Sequence, residues 1–162
     1  MIKIEFYFKQ NSLYFKREIL FNIVKILKYH YKYNFKILTL ICALDLPKNN
    51  NRFKIIYEFL SLRFNNRIKL KVLTNEIIPI NSIQKIHSGS TWWEAECWDM
   101  FGIIFVQKKN IIRLLTDYGF QGFPLRKDFP LTGFIETRYN QIKNRITYNN
   151  LELTQHFRTF FF

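Results

Sequence analysis

Apolar positions recur with two different periods along the first half of the chain, and each period predicts its own kind of element. Over residues 11–31, Leu13, Ile19, Leu20, Ile23, Val24, Ile26 and Leu27 gather on one broad face, with Lys16, Arg17, Lys25 and Lys28 on the other. That spacing predicts an amphipathic helix packed on a sheet, a membrane surface being the other place so basic a helix can lie. Phe35 to Asp45, Phe53 to Phe64 and Ile68 to Thr74 are runs of β-forming residues, broken by Asp45-Leu46-Pro47, by Asn49 to Asn51 and by Asn65-Asn66. They predict the strands of an antiparallel meander covered by helices. Residues 75–82 contain Pro79 and predict a loop.

The second half changes character. Thr91 and Glu94 have the spacing of a capping box, which predicts a helix through about Phe101, ended by Gly102, with Trp93, Cys97, Met100 and Phe101 on one face. Ile103 to Val106 predicts a short strand, and Ile111 to Leu115 is too short to assign. From Thr116 onward no period survives. Glycines at 119, 122 and 133 and prolines at 124 and 130 predict a looped path, with a hairpin from Ile135–Tyr139 to Arg145–Tyr148 across Asn140 to Asn144. All five glycines and all three tryptophans lie between residues 89 and 133, so this window is the most specifically shaped part of the chain. An irregular tail cannot bury Tyr118, Phe120, Phe123, Phe129, Phe134, Phe157 and Phe160 to Phe162 against itself, and predicts another protein to cover them. The fold class expected is α+β. A compact N-terminal sheet, antiparallel or mixed and packed with helices, occupies residues 1–106, and an extended, largely irregular docking segment and tail occupies residues 107–162.

Composition narrows the function classes. With 162 residues, 48% of them hydrophobic and 23% charged, the chain is globular, with room for one core-bearing domain and a tail. Phe, Ile, Lys, Asn and Tyr make up 80 of the 162 residues, while alanine occurs only at Ala43 and Ala95. All five have AT-rich codons, which points to an AT-rich genome such as an organelle's and discounts lysine number as a functional signal. The net charge of +13 by itself suggests nucleic acid or an anionic membrane. Residues 1–81 carry +10 of it and residues 82–162 only +3, so the basic excess lies away from the glycine-rich window. Cys42 and Cys97 are too few for an iron–sulfur cluster or a zinc site on their own, and are expected as buried thiols in a reducing compartment. Uncharged stretches reach about eight residues, such as Ile37 to Leu44, far short of a membrane span. The amino terminus, with Glu5 and Glu18, resembles neither a secretory signal nor a transit peptide, so a chain made inside its organelle or already processed is expected.

Candidate chemistry is sparse. Glu94, Glu96 and Asp99 lie within six residues, and on a helix Glu96 and Asp99 are neighbours while Glu94 and Glu96 are not. Paired carboxylates serve acid–base catalysis; acidic residues are also favoured in a helix's first turns. His30, His87 and His156 stand apart from other ligating residues and are expected at solvated helix ends or in loops. Arg126-Lys127-Asp128 before Phe129-Pro130 offers a bidentate guanidinium to an anion, or a local ion pair docking an extended strand onto its neighbour. The second reading is preferred, because no phosphate-cradling glycine loop accompanies it. No dinucleotide fingerprint or nucleophile elbow occurs, so an independent enzyme is not expected.

Three segments carry a resemblance: Glu94-Ala95-Glu96-Cys97-Trp98-Asp99-Met100-Phe101-Gly102-Ile103, then Arg113 to Phe120 with Thr116, Asp117, Tyr118 and Gly119, then Gly122-Phe123-Pro124-Leu125-Arg126-Lys127-Asp128-Phe129-Pro130-Leu131-Thr132-Gly133. In this order the chain resembles the 30 kDa subunit family of respiratory complex I from about Ser90 to Tyr139, through Arg138, and more loosely to its end. It departs from the family pattern at Ala95, where an arginine is usual, at Lys108-Lys109, where His-Pro is usual, and at Phe123, where histidine is usual.

The resemblance implies a non-catalytic core subunit of the proton-pumping NADH:ubiquinone oxidoreductase, on the matrix-facing peripheral arm beside the quinone module. The complex would sit in the mitochondrial inner membrane. It implies no cofactor in this subunit, with NADH, FMN, iron–sulfur clusters and ubiquinone on neighbouring subunits, and no transmembrane segment or nucleic-acid partner. Its tail would extend over those neighbours, with Thr91 to Phe162 as the docking apparatus. A basic organellar ribosomal or RNA-binding protein is the alternative that the net charge suggests.

Overall fold

The computed structural model describes residues 3–7, 10–108 and 111–158, with side chains from residue 11 onward. Lys109 and Phe160 to Phe162, named above, lie outside them. In chain order the elements are β1 (Lys3–Tyr7), β2 (Gln10–Phe15), a 3-10 turn (Arg17–Ile19), α1 (Leu20–Tyr29), β3 (Ile37–Asp45), β4 (Phe53–Ser61), β5 (Asn66–Thr74), β6 (Ile80–Asn81), α2 (Ser90–Phe101), β7 (Phe105–Val106), β8 (Ile135–Asn140) and β9 (Arg145–Asn150).

Five strands form one sheet in the order β1-β2-β5-β4-β3. β3, β4 and β5 are the expected antiparallel meander, and β2 joins β5 in parallel, so the sheet is mixed. Apart from a register shift at Leu38–Leu40 of β3 and the buried Glu58 of β4, the strands alternate, which sends every second residue to one face. Ile41 and Ala43, then Phe53, Ile55, Tyr57 and Phe59, then Leu70 and Val72 line that inner face. Against it pack Leu20, Val24 and Leu27 of α1 and Cys97, Met100 and Phe101 of α2. Side chains of this size each contribute about 1.5–3 kcal/mol when fully buried.

Four expectations need correction. Residues 11–31 are not one helix, because Gln10–Phe15 is strand β2 and α1 begins at Leu20. Leu13 lies opposite Leu70 and Phe15 opposite Val72; pairing with β5 buries these two as a strand does, and the helical spacing of Leu13 with Leu20 misled. Residues 75–82 are not all loop either. Ile80 pairs in parallel with Phe105, its N–H donating to Ile104 O at 2.9 Å, and a two-residue strand is too short to read from periodicity. The capping box does not form: Thr91 is already inside the helix, its hydroxyl donating to Ser88 O at 2.8 Å, and Glu94 turns into the core. His87 is buried, not solvated, its ring 5.4 Å from that of Phe59. Burial, aided by the Lys28 charge, pulls its pKa down to about 4.

Other expectations stand. Gly102 caps α2 with φ 77°, and β8 and β9 form the hairpin across residues 140–144. Both cysteines are free thiols and Cys97 is buried as expected, whereas Cys42, at the sheet's edge strand, is only half-buried. Among the described residues no helix is long and apolar enough to cross a membrane.

Candidate docking interface

The last turn of a helix leaves carbonyls without helical partners, and in α2 the tail supplies them. Leu125 N–H donates to Met100 O at 3.2 Å and Arg126 Nε to Phe101 O at 2.6 Å. Gly102 lies directly under this contact. A Cβ there would sit 2.6 Å from Arg126 Nη2 and 2.7 Å from the Phe123 ring, so only glycine lets the tail approach so closely. The Arg126 guanidinium is stacked 4.5 Å from the centre of Phe123 and 5.2 Å from that of Phe53, which ties the tail to a residue of the sheet core.

An ion-pair network extends the contact. Arg52 grips Asp45 with Nε at 2.7 Å and Nη2 at 2.9 Å, and Nη2 also meets Asp128 at 2.9 Å. Glu76 bridges Arg52 to Arg126, whose Nη1 is 3.5 Å away. The Lys127 N–H donates to Asp45 Oδ2 at 2.7 Å. Hydrogen bonds from Arg52 hold both the Asp45 and Asp128 carboxyls below the usual range, and the two carboxylates in turn raise the pKa of Arg52. Arg126-Lys127-Asp128 is therefore a docking latch, as preferred above, made by a turn and not a strand. Lys127 contributes through its backbone, its side chain being exposed.

A second anchor lies on α2 itself. Asp99, fully buried, accepts from the N–H groups of Leu114, Leu115 and Thr116 at 3.1, 2.8 and 3.0 Å, from the Thr116 hydroxyl at 2.6 Å and from Arg113 Nη1 at 3.0 Å. Burial alone would raise its pKa, but the Thr116 hydroxyl and the three N–H groups outweigh that and bring it to about 2. A carboxyl so committed to its ionised form and so fully bonded organises a loop. Glu94, also fully buried, accepts from Ser82 Oγ at 2.7 Å and Ile83 N–H at 2.9 Å, joining α2 to the segment after β6. Burial pushes its pKa up, against those two bonds and the Lys108 charge. Lys108, one of the departures from the family pattern, donates to Thr91 O at 2.9 Å. Glu96 is half-buried, and its charge helps burial to raise the pKa of the Cys97 thiol. Glu94 and Asp99 thus take their hydrogen bonds from different segments of the chain, Glu94 from residues 82–83 and Asp99 from residues 113–116.

Beyond these anchors the tail builds an apolar cleft of about 440 Å³ lined by Asp117, Tyr118, Gly119, Phe120, Phe129, Gly133 and Phe134 with Ile135 and Tyr148 of the hairpin. Phe129 is its hub, 6.0 Å from Phe120 and edge-on to Phe134 at 5.4 Å. Gly122 has φ 104°, and a Cβ there would lie 2.7 Å from Phe129. Asp117 accepts from Tyr118 N–H at 2.7 Å and from the Tyr148 hydroxyl at 3.3 Å, and Gly133 N–H donates to Pro130 O at 3.2 Å. Pro124 and Pro130 are half-buried in the same path. Tyr118 is fully exposed, and Phe134, Ile135, Ile146, Tyr148 and Phe157 are each more than half exposed. In the hairpin Ile135, Tyr139, Ile146 and Tyr148 share one face by register, while Glu136, Arg138 and Arg145 lie on the other. Both Arg138 and Tyr139 are exposed.

Sequence reasoning missed Asp45, Arg52, Glu76 and Ser82, which hold the tail and α2 from the first half of the chain. Among them only the turn signal around Asp45 was visible, and it says nothing of a partner 82 positions away. Among the described residues, no three or more His, Cys, Asp or Glu gather so as to hold a metal ion.

The profile of the family described as respiratory-chain NADH dehydrogenase, 30 Kd subunit, matches residues 13–135. NADH-ubiquinone oxidoreductase subunit 9 of Reclinomonas americana is 44% identical over 151 residues, spanning 93% of this chain and 74% of that one. NADH dehydrogenase (ubiquinone) iron-sulfur protein 3 of Oryza sativa subsp. japonica is 41% identical over 152 residues, 94% of this chain and 80% of that one. A bacterial relative, an NADH-quinone oxidoreductase subunit of Methylobacterium radiotolerans, is 50% identical over 122 residues, 75% of this chain and 57% of that one. A chain in the solved structure of the membrane-bound sulfane sulfur reductase, an archaeal respiratory membrane complex, matches with a TM-score of 0.69 over 80% of this chain and 78% of that one. At 18% identity that likeness speaks for the fold alone. The chain belongs to the family of the 30 kDa subunit of respiratory-chain NADH dehydrogenase.

Proposed function

We propose that this chain is a core subunit of the proton-pumping NADH:ubiquinone oxidoreductase, and that it works by holding neighbouring subunits together and carries no catalytic residue of its own. Residues 1–106 act as the compact body and residues 107–162 as the docking segment. The subunit sits on the matrix side of the mitochondrial inner membrane, in the peripheral arm, against the quinone-module subunits. NADH, FMN, iron–sulfur clusters and ubiquinone belong to those neighbours.

One observation carries this reading. The tail is anchored at two points, Asp99 and the Asp45–Arg52 pair, yet it leaves its large apolar side chains uncovered around a formed cleft. Anchoring costs conformational entropy, and it is useful where a surface must keep its shape for a partner. The family match supports this reading over RNA binding.

The test is a native gel of solubilised mitochondrial membranes probed for this chain. It should migrate with NADH dehydrogenase activity; migration with ribosomes, shifting with salt, would support the RNA-binding alternative instead.

A further inference from the structure

The sheet has a second face that the helices do not cover. By register Arg67, Lys69, Lys71 and Leu73 of β5 share it with Lys54, Ile56, Glu58 and Leu60 of β4 and with Tyr14 of β2. The hydrophobic core that α1 and α2 bury contains none of these residues. Among the described side chains, four cations thus stand on β4 and β5 with one carboxylate, Glu58, which lies 3.9 Å from Arg67 and 4.0 Å from Lys69 and is itself nearly buried; by register Lys3 and Glu5 of β1 continue the same face. Alternate residues of a strand are about 7 Å apart, so the charges along β5 repel one another within a Debye length. At the near end of the face the β4–β5 turn adds Arg63 and leaves Leu62 and Phe64 exposed.

We propose that this face is a second docking surface, distinct from the tail, and that its occupant is an acidic, amphipathic polypeptide segment of a neighbouring subunit. The charge pattern calls for carboxylates spaced to meet Arg67, Lys69 and Lys54, and the interspersed Ile56, Leu60, Leu62 and Phe64 offer apolar footing between them. The aromatic rings argue against nucleic acid. Binding single-stranded RNA on a sheet requires ring faces free to stack on bases. Here Lys54 and Lys71 sit over the Tyr14 ring at 5.4 and 5.0 Å, and Arg63 sits over Phe64 at 5.5 Å, so the rings are taken by cations. Lys54 also reaches the Tyr14 hydroxyl at 3.3 Å, which fixes its ammonium in place on the face.

The proposal rests on the subunit reading above, and its test is built to separate the two. The intact complex is taken from the native-gel band with NADH dehydrogenase activity, treated with a carbodiimide that joins amines to carboxylates in direct contact, and digested for mass spectrometry. If the chain is absent from that band, the subunit reading fails. If it is present, Lys54 or Lys69 should be joined to Asp or Glu residues of another subunit. Both lysines should also resist acylation several-fold better than in the isolated chain, while Lys32, exposed in the turn after α1, serves as an internal comparison. Free acylation of Lys54 and Lys69 within the intact complex, with no such cross-link, overturns the proposal, as does ultraviolet cross-linking of this face to RNA.

Discussion

The backbone N–H of Lys127 donates to Oδ2 of Asp45 at 2.7 Å, and Arg52 holds the same carboxylate through Nε and Nη2 at 2.7 and 2.9 Å. One buried side chain at the end of β3 therefore reads both the core, through Arg52, and the path of the tail, through Lys127. Its bonds make tail geometry depend on the sheet, although the two are far apart in sequence.

Arg52→Ala removes the cation that compensates Asp45, whose side chain is fully buried, and should cost about 3 kcal/mol in denaturant unfolding. Asp128→Ala removes a partner that is 64% exposed and should cost less than about 1 kcal/mol. Equal losses in the two variants would show that Asp45 is not the centre of the network.

At Gly102, alanine meets two penalties. Its Cβ would press on Arg126 and Phe123, and the left-handed backbone itself costs about 1–2 kcal/mol for a residue with a side chain. Limited proteolysis should then cut Gly102→Ala between residues 107 and 125 faster than the native chain. Gly122→Val should act on the cleft instead, displacing Phe129 and impairing assembly of the complex more than folding of residues 1–80. Unchanged assembly of Gly122→Val would mean that this backbone is not shaped for docking.

Acid should weaken the fold in two stages. His87 is neutral when folded, with its pKa at about 4 against 6.5 for the free side chain, so the unfolded chain takes up the proton first as pH falls. Stability present above pH 6.5 is lost progressively down to about pH 4, on the order of 3 kcal/mol. Asp99, at about 2 against 3.8, contributes stability that is full above pH 4 and disappears as pH falls towards 2, on the order of 2 kcal/mol. His87→Leu should flatten the first stage alone. Asp99→Asn should lose about 2 kcal/mol at neutral pH and flatten the second. Chemical denaturation at a series of pH values checks both slopes.

Much of the fold was legible in local signals. The meander, α2 with its Gly102 cap and the β8–β9 hairpin each follow from a period or a turn signal confined to a few neighbouring residues. Strand β2 was not, because its identity comes from parallel pairing with β5 across more than fifty residues, which no local period records. The candidate site divides in the same way. Asp99, Gly102 and Arg126 stand out within the glycine-rich window, whereas their partners Asp45, Arg52 and Glu76 are ordinary surface-type residues until the fold brings them together. Glu94 shows the converse: its capping spacing was visible, but burial beside Ser82 and Ile83 gave it other partners.

Amide hydrogen exchange in the isolated chain and in the intact complex tests the central claim most directly. The N–H groups of Leu114 to Thr116 and of Lys127, bonded to Asp99 and Asp45, should be protected in both states. Those of β8 and β9, a two-stranded ribbon with an uncovered apolar face, should exchange readily in the isolated chain and slow sharply in the complex. Equal protection of the hairpin in the two states would contradict the account of the tail as a docking surface.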